Sequence, residues 1–345
     1  MHSRLHRLAR HAVVGVIAGS ALLAAGCSSS KSAAAGGGAS SSGSSSSSGA
    51  ATSAGSSSAA TSASSSAAVF PATVTAKNGS VKLTAQPKKI VSLSPSATED
   101  LFAIGAGPQV VAVDDQSDFP AAAPKTALSG FKPDAEAIAK YNPDLVVVAA
   151  DSSKIVEELG KLNIPVLWFD APNSLDDAYG QITALGTATG HADEAGAKVT
   201  DMKKEITVAI AAAKKPATPL KYYYEVGTPG NYSATSKTFI GSILSQFGLT
   251  NVADPADKSG AGYPQLSDEY LVTAAPDLVF LADTKCCQQT TATVAARPGW
   301  AAVPAVKNAA KGTIVGLDDD IASRWGPRLV DLVQQVSDAV NKAQG

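Results

Sequence analysis

Hydrophobic and polar positions divide the chain into three regimes. The opening "MHSRLHRLARH" carries Arg4, Arg7 and Arg10 and leads into an uncharged apolar run at 12–25, the pattern of a secretory signal over 1–26. Residues 28–68 hold 20 Ser, 12 Ala and 6 Gly among 41 and nothing that builds a core, which predicts a flexible tether over 27–68. Random-coil scaling gives it an average span of roughly 35 Å. From residue 69 onward, short apolar runs alternate with helical spacing. Buried-strand patterns occur at "KIVSLS", "QVVAVDD", "VVVAAD" and "PVLWFDA", then at "KYYYEV", "LVFLAD" and "TIVGLDD". Such alternation predicts an α/β fold with parallel sheets flanked by helices.

The pattern also repeats. "NPDLVVVAAD" at 142–151 returns as "APDLVFLAD" at 275–283, 133 residues later, and the same offset carries Glu136 onto Glu269, each on a short helix before its strand. The repeat predicts two Rossmann-like lobes, 69–186 and 216–345. Between them Leu185, Ala188, Ala192, Ala195, Val199, Met202, Ile206, Ala209 and Ala213 mark one helix face. A linking helix is therefore expected over 187–215, interrupted at Gly190, with roughly 33 Å of rod beyond it. "SATE" reads as a capping box, Ser96 capping a helix and Glu99 reaching back to the cap amide. In open sheets of this kind ligands gather beyond the carboxyl ends of the strands, here at "SPSATE", "DDQSDFP", "DSSK", "GTPGNYS", "DTKCCQQ" and "LDDDIASRW".

Charge and composition narrow the chemistry. Losing the three signal arginines leaves 25 basic residues against 30 acidic ones, a formal −5 with no basic patch for nucleic acid. His2, His6 and His11 leave with the signal, so His191 alone remains. One imidazole does not make a zinc or manganese site, and nothing near it reads as the nucleophile turn of a Ser-His-Asp hydrolase. Asp318, Asp319 and Asp320 suit glycoside chemistry only formally; three adjacent aspartates after a strand read as a solvated loop. "LLAAGC" resembles the lipobox of bacterial lipoproteins, which makes Cys27 the lipid-bearing residue.

Several stretches together resemble substrate-binding lipoproteins of ABC importers, of the class that carries cobalamin, ferric siderophores or haem. They are "KKIVSLSPSATEDLFAIGAGPQVVAVDDQSDFP", "DAEAIAKYNPDLVVVA", "LNIPVLWFDAPNSLDDAYGQITALGTATG", "YPQLSDEYLVTAAPDLVFLAD" and "ASRWGPRLVDLV". The resemblance implies two α/β lobes bridged by one helix, a ligand in a shallow cleft, slight closure and no enzymatic activity. The implied partners are an ABC permease and its ATPase, a small-molecule metal chelate, and the membrane through lipid on Cys27. The body is expected to be a monomer outside the cytoplasm, with no cofactor and no metal site of its own. One exposed glutamate per lobe is expected to dock on the permease: Glu136 in the first lobe and, because the matching second-lobe position falls on Ser245, Glu269 in the second.

Candidate ligand contacts lie on loops, with Phe131, Asp320 and Arg324 at positions that match ligand contacts in the family. Phe131, Tyr232, Tyr263 and Trp325 supply rings; Ser96, Asp320 and the Arg324 fork supply polar contacts, Arg324 being suited to a carboxylate or amide rim. Gln116, itself a candidate contact, and Ala149 stand where cobalamin binders carry aromatics, whereas Trp168 reads as core. Cys286 and Cys287 are adjacent, and two readings stay open: a strained vicinal disulfide forming a rigid rim contact, or two plain surface thiols. A secreted glycan-acting enzyme and a sensory module without a transporter are the alternative functions.

Overall fold

The computed structural model describes residues 69–345; the signal over 1–26, Cys27 and the tether over 27–68 lie outside the described residues. A hairpin of β1 (Ala72–Ala76) and β2 (Gly79–Leu83) comes first. The first lobe follows with β3 (Ile90–Leu93), α1 (Pro95–Ala103), β4 (Val110–Val113), α2 (Ala135–Ala139), β5 (Leu145–Val148), α3 (Ile155–Lys161), β6 (Val166–Trp168) and α4 (Leu175–Thr189). After α5 (Ala192–Ala212), the second lobe begins with β7 (Lys221–Gly227), β8 (Tyr232–Ser233), α6 (Phe239–Ser245), β9 (Thr250–Asn251), α7 (Asp268–Ala274) and β10 (Leu278–Leu281). It ends with α8 (Thr291–Ala295), α9 (Pro304–Lys307), β11 (Ile314–Gly316), α10 (Asp319–Ser323) and α11 (Leu329–Ala343).

Each lobe holds its own sheet. The first, ordered β4-β3-β5-β6, is parallel throughout. In the second, β11-β10-β7 and the flanking β9 are parallel, while β8 turns back antiparallel on β7. The strands β5 and β10 are buried at every position, as expected for parallel strands covered on both faces.

The internal repeat has a physical basis. Asp144 accepts the Lys88 and Lys89 N–H groups at 2.8 and 2.9 Å and donates its own N–H to Lys89 O at 3.0 Å. Asp277 does the same in the second lobe, accepting from Lys221 N–H at 2.8 Å and donating back to Lys221 O at 2.8 Å. Each Pro-Asp thus staples the start of one strand to its neighbour and fixes the register of β3 with β5 and of β7 with β10. The turns ahead of them match too: Asn142 and Ala275, 133 residues apart, both adopt left-handed backbone, φ 49° and 52°.

Helix α5 buries Ala195, Met202, Ile206 and Ala209 and packs on α4 of the first lobe and α11 of the second. Its 21 residues make a rod of roughly 30 Å. Residues 187–189 belong to α4, which closes on left-handed Gly190 (φ 80°), so the linking helix is shorter than the expected 187–215. At Gly186 a Cβ would stand 2.4 Å from the Ala195 Cβ; glycine there lets α4 and α5 touch. The far end of α5 is tied to α11, where Asn341 accepts the Lys214 N–H at 2.8 Å and donates to Ala212 O at 3.2 Å. Such side chains supply partners that a helix end otherwise lacks.

Candidate ligand-binding cleft

Local folding of "SPSATE" sets the first wall. Ser94, not Ser96, caps α1: its Oγ accepts the Ala97 N–H at 3.3 Å, with Pro95 at the first helical position, where a missing N–H costs nothing. Ser96 is buried inside the helix, and its hydroxyl accepts the Trp325 backbone N–H from the second lobe at 3.1 Å. Glu99 does not reach back to a cap amide. Its side chain is only 1% exposed and accepts from Arg324 Nη1 at 3.0 Å and from Arg328 Nε and Nη2 at 2.9 and 2.5 Å. The expected capping box is therefore a clasp between the lobes.

Beyond the carboxyl ends of β3, β4 and β5 lies a cavity of about 390 Å³, within the range of small-molecule sites. Six of the ten predicted ligand residues meet on its wall: Ser96, Gln116 and Phe131 from the first lobe, and Asp320, Arg324 and Trp325 from the second. Ala149 lines it as well. Phe131 is 76% exposed, an apolar ring held at the rim. Tyr232 and Tyr263 are exposed on the second lobe and do not line this cavity, nor do Cys286 and Cys287.

The Arg324 fork is not free for a ligand rim. Nη1 donates to Glu99 and to Asp118 Oδ1 at 2.9 Å, and Nη2 donates to Gln116 O at 2.8 Å and Asp320 Oδ1 at 2.7 Å. Partial burial pushes the Asp118 carboxyl up, but the hydrogen bond and charge of Arg324 outweigh that and hold it below the usual range. Trp325 adds an Nε1–H bond to Gln181 Oε1 at 2.9 Å. Asp118, Gln181 and Arg328 escaped sequence reasoning because their partners are distant along the chain.

The triplet Asp318–Asp320 is a structured helix start, not a solvated loop. Asp318 caps α10 by accepting from Asp320 and Ile321 N–H at 2.9 and 3.3 Å. Asp319 accepts the Lys285 and Cys286 N–H groups, each at 2.9 Å, and the Thr284 hydroxyl at 2.9 Å. Lys285 Nζ bridges Asp318 and Asp320 at 2.9 and 2.6 Å. The cysteine loop is thereby fastened to the helix that lines the cavity. Within it Cys286 and Cys287 are free thiols with sulfurs 2.6 Å apart. Burial and the neighbouring thiol push Cys286 up to about 12.

Behind this loop sits a buried charge cluster. Arg297 forks onto Glu225 with two bonds of 2.6 Å, and Thr228 Oγ1 lies between Glu225 at 2.9 Å and Asp283 at 3.2 Å. Burial, followed by the Glu225 charge, raises the Asp283 carboxyl to about 7. Glu136 on α2 and Glu269 on α7 are both exposed, as is Ser245 on α6. Trp168 is half-buried with Lys77 Nζ 4.9 Å from its ring centre, outside the cavity. His191 precedes α5, beside Gln109. Among the described residues there is no cluster of three or more His, Cys, Asp or Glu placed to hold a metal ion, and no helix is long and apolar enough to cross a membrane.

A periplasmic binding protein profile matches residues 90–319. The chain belongs to the periplasmic binding protein family. An ABC transporter substrate-binding lipoprotein of Bacillus subtilis, YvrC, is 30% identical over 79% of this chain and 86% of its own length. A cobalamin-binding protein of Halobacterium salinarum is 28% identical over 78% of this chain and 74% of its own. Among solved structures, the periplasmic haem-binding protein RhuT of Roseiflexus superposes with a TM-score of 0.66 at 25% identity, covering 75% of this chain and 99% of that one. The family is one of extracytoplasmic substrate-binding proteins that serve transport, not of enzymes, and this member has the two-lobed α/β form.

Proposed function

We propose that this protein captures a corrinoid, or a ferric siderophore of similar bulk, between its lobes and delivers it to an ABC permease. The observation that carries the reading is the cavity itself, open between lobes, with Phe131 and Trp325 as apolar surfaces and Ser96, Gln116 and Asp320 around them. A corrinoid suits it better than haem. The cavity wall offers no histidine, cysteine or tyrosine to an iron, and a corrinoid brings its own axial ligands. The cobalamin-binding relative supports the same choice. In this reading Tyr232, Tyr263 and the Cys286–Cys287 loop frame the outer approach on the second lobe, the loop being fastened to α10 through Asp319 and Lys285. Lipid on Cys27 tethers the body, and Glu136 and Glu269 meet arginines of the permease.

Titration of the purified protein with cyanocobalamin, ferric siderophores and haem, followed by tryptophan fluorescence, tests this. Trp325 lies on the cavity wall, so a corrinoid there quenches it. Quenching by haem alone, or by nothing in the panel, rejects the reading.

A further inference from the structure

One polar group on the cavity wall has no role in the clasp. Asp114 follows β4, is 3% exposed and lines the cavity. Its Oδ1 is buried without a hydrogen-bond partner. Neighbouring cations are already committed: Arg324 to Glu99, Asp118, Asp320 and Gln116 O, and Lys285 to Asp318 and Asp320. Facing it is Gly130, also on the wall, where a Cβ would stand 2.5 Å from Asp114 Oδ2 and 3.1 Å from Leu93 O. Any side chain there would cover the carboxyl.

We propose that Asp114 selects ligand groups that donate hydrogen bonds, a primary amide or an ammonium, and that Gly130 keeps the path to it open. A buried acceptor without a donor carries its desolvation cost until a ligand supplies one, so a matching N–H is strongly favoured. A carboxylate at the same place brings acceptors without a donor, leaves Asp114 unsatisfied and is rejected. Chelates rimmed by amides therefore fit this end of the cleft, and chelates rimmed by carboxylates do not. The inference deepens the proposed corrinoid cargo and rests on that reading for its first probe.

The test compares cyanocobalamin with its monocarboxylic acids, in which one peripheral carboxamide is hydrolysed. Wild type, Asp114→Asn and Gly130→Ala are titrated with each. Asp114→Asn keeps the shape and offers an NH2 where the wild type offers only acceptors. At least one acid should bind the wild type ~10- to 100-fold more weakly than cyanocobalamin, and Asp114→Asn should erase most of that gap. Gly130→Ala should weaken cyanocobalamin by a similar factor. Equal binding of every acid by the wild type, or a preference unchanged in Asp114→Asn, overturns the assignment. If the wild type binds no cyanocobalamin at all, the corrinoid reading fails and the Asp114 assignment is decided separately. The ¹³C resonance of its carboxyl is then followed with acetamide and methylammonium as probes. A saturable shift that Gly130→Ala abolishes supports the assignment; no shift with either probe overturns it.

Discussion

Replacing Glu99 by glutamine removes one charge from the centre of the clasp and leaves the atoms nearly in place. In the wild type a side chain 1% exposed neutralises two guanidinium groups that are themselves 9% and 17% exposed. Glutamine keeps one acceptor but turns an NH2 toward a cation, leaving Arg328 without its paired carboxylate and Arg324 with only Asp118 and Asp320. Breaking a buried pair from one side costs ~3–5 kcal/mol, a large part of the ~5–15 kcal/mol that holds a folded protein together. At ~2–4 °C per kcal/mol for a body of this size, the melting temperature should fall by about 6–20 °C. Circular dichroism melts of wild type and Glu99→Gln measure it, with Lys161→Gln as control. Lys161 pairs with Glu157 and Glu158 on an exposed surface, where solvent screens the pair and its removal costs little. A Glu99→Gln loss no larger than the control's would refute the view that this ion cluster joins the lobes.

Three further outcomes are expected. Asp283 holds its proton to about 7 in the folded chain against an ordinary 3.8, so stability falls as pH rises from about 4 to about 7 and levels off above; the unfolded chain releases a proton that the folded one keeps. Asp283→Asn should flatten that slope in urea titrations at a series of pH values, and an unchanged slope rejects the assignment. Denatured without reductant, the protein should take one maleimide on each of Cys286 and Cys287, the free thiols of the structure; adducts that appear only after reduction would show the two bridged instead. Glu136→Arg and Glu269→Arg should leave ligand binding unchanged while lowering uptake in cells at least tenfold, and normal uptake by both variants removes these residues from permease docking.

How much was legible followed the range of each interaction. The repeat at 142–151 and 275–283 was readable because its cause is local: apolar runs behind a Pro-Asp that pins a neighbouring strand. The cap of α1 was readable but misplaced by two residues. Pro95 already pointed to Ser94 as the cap, since proline suits the first helical position. The β1–β2 hairpin also left its mark in Asn78-Gly79, where Gly79 takes φ 100°. It closes over the edge of β6, Asn78 donating to Val166 O at 2.9 Å and accepting from Trp168 N–H at 3.1 Å. The clasp was not readable. Glu99 meets Arg324 and Arg328 across 225 and 229 residues, and nothing near "SATE" distinguishes a capping carboxylate from one awaiting a distant arginine. Arg324 lines the cavity, but sequence does not show that protein acceptors engage its fork.

That engagement constrains how the cleft can bind. Asp320 and Arg324 are at once wall and clasp, joined at 2.7 Å, and a ligand that pulled either away would have to replace a short charge-assisted bond between lobes. Polar contacts should therefore fall on groups outside the clasp, while Phe131 and Trp325 supply apolar area without disturbing it. With α5 packed on both lobes and Trp325 tied to Ser96 and Gln181, the walls are set before the ligand arrives. Affinity should then arise from preorganisation, because little ordering remains to be done on binding. A cleft built this way favours rigid, bulky guests whose shape matches a fixed gap, and it discriminates among them by the few polar groups left free along its edge.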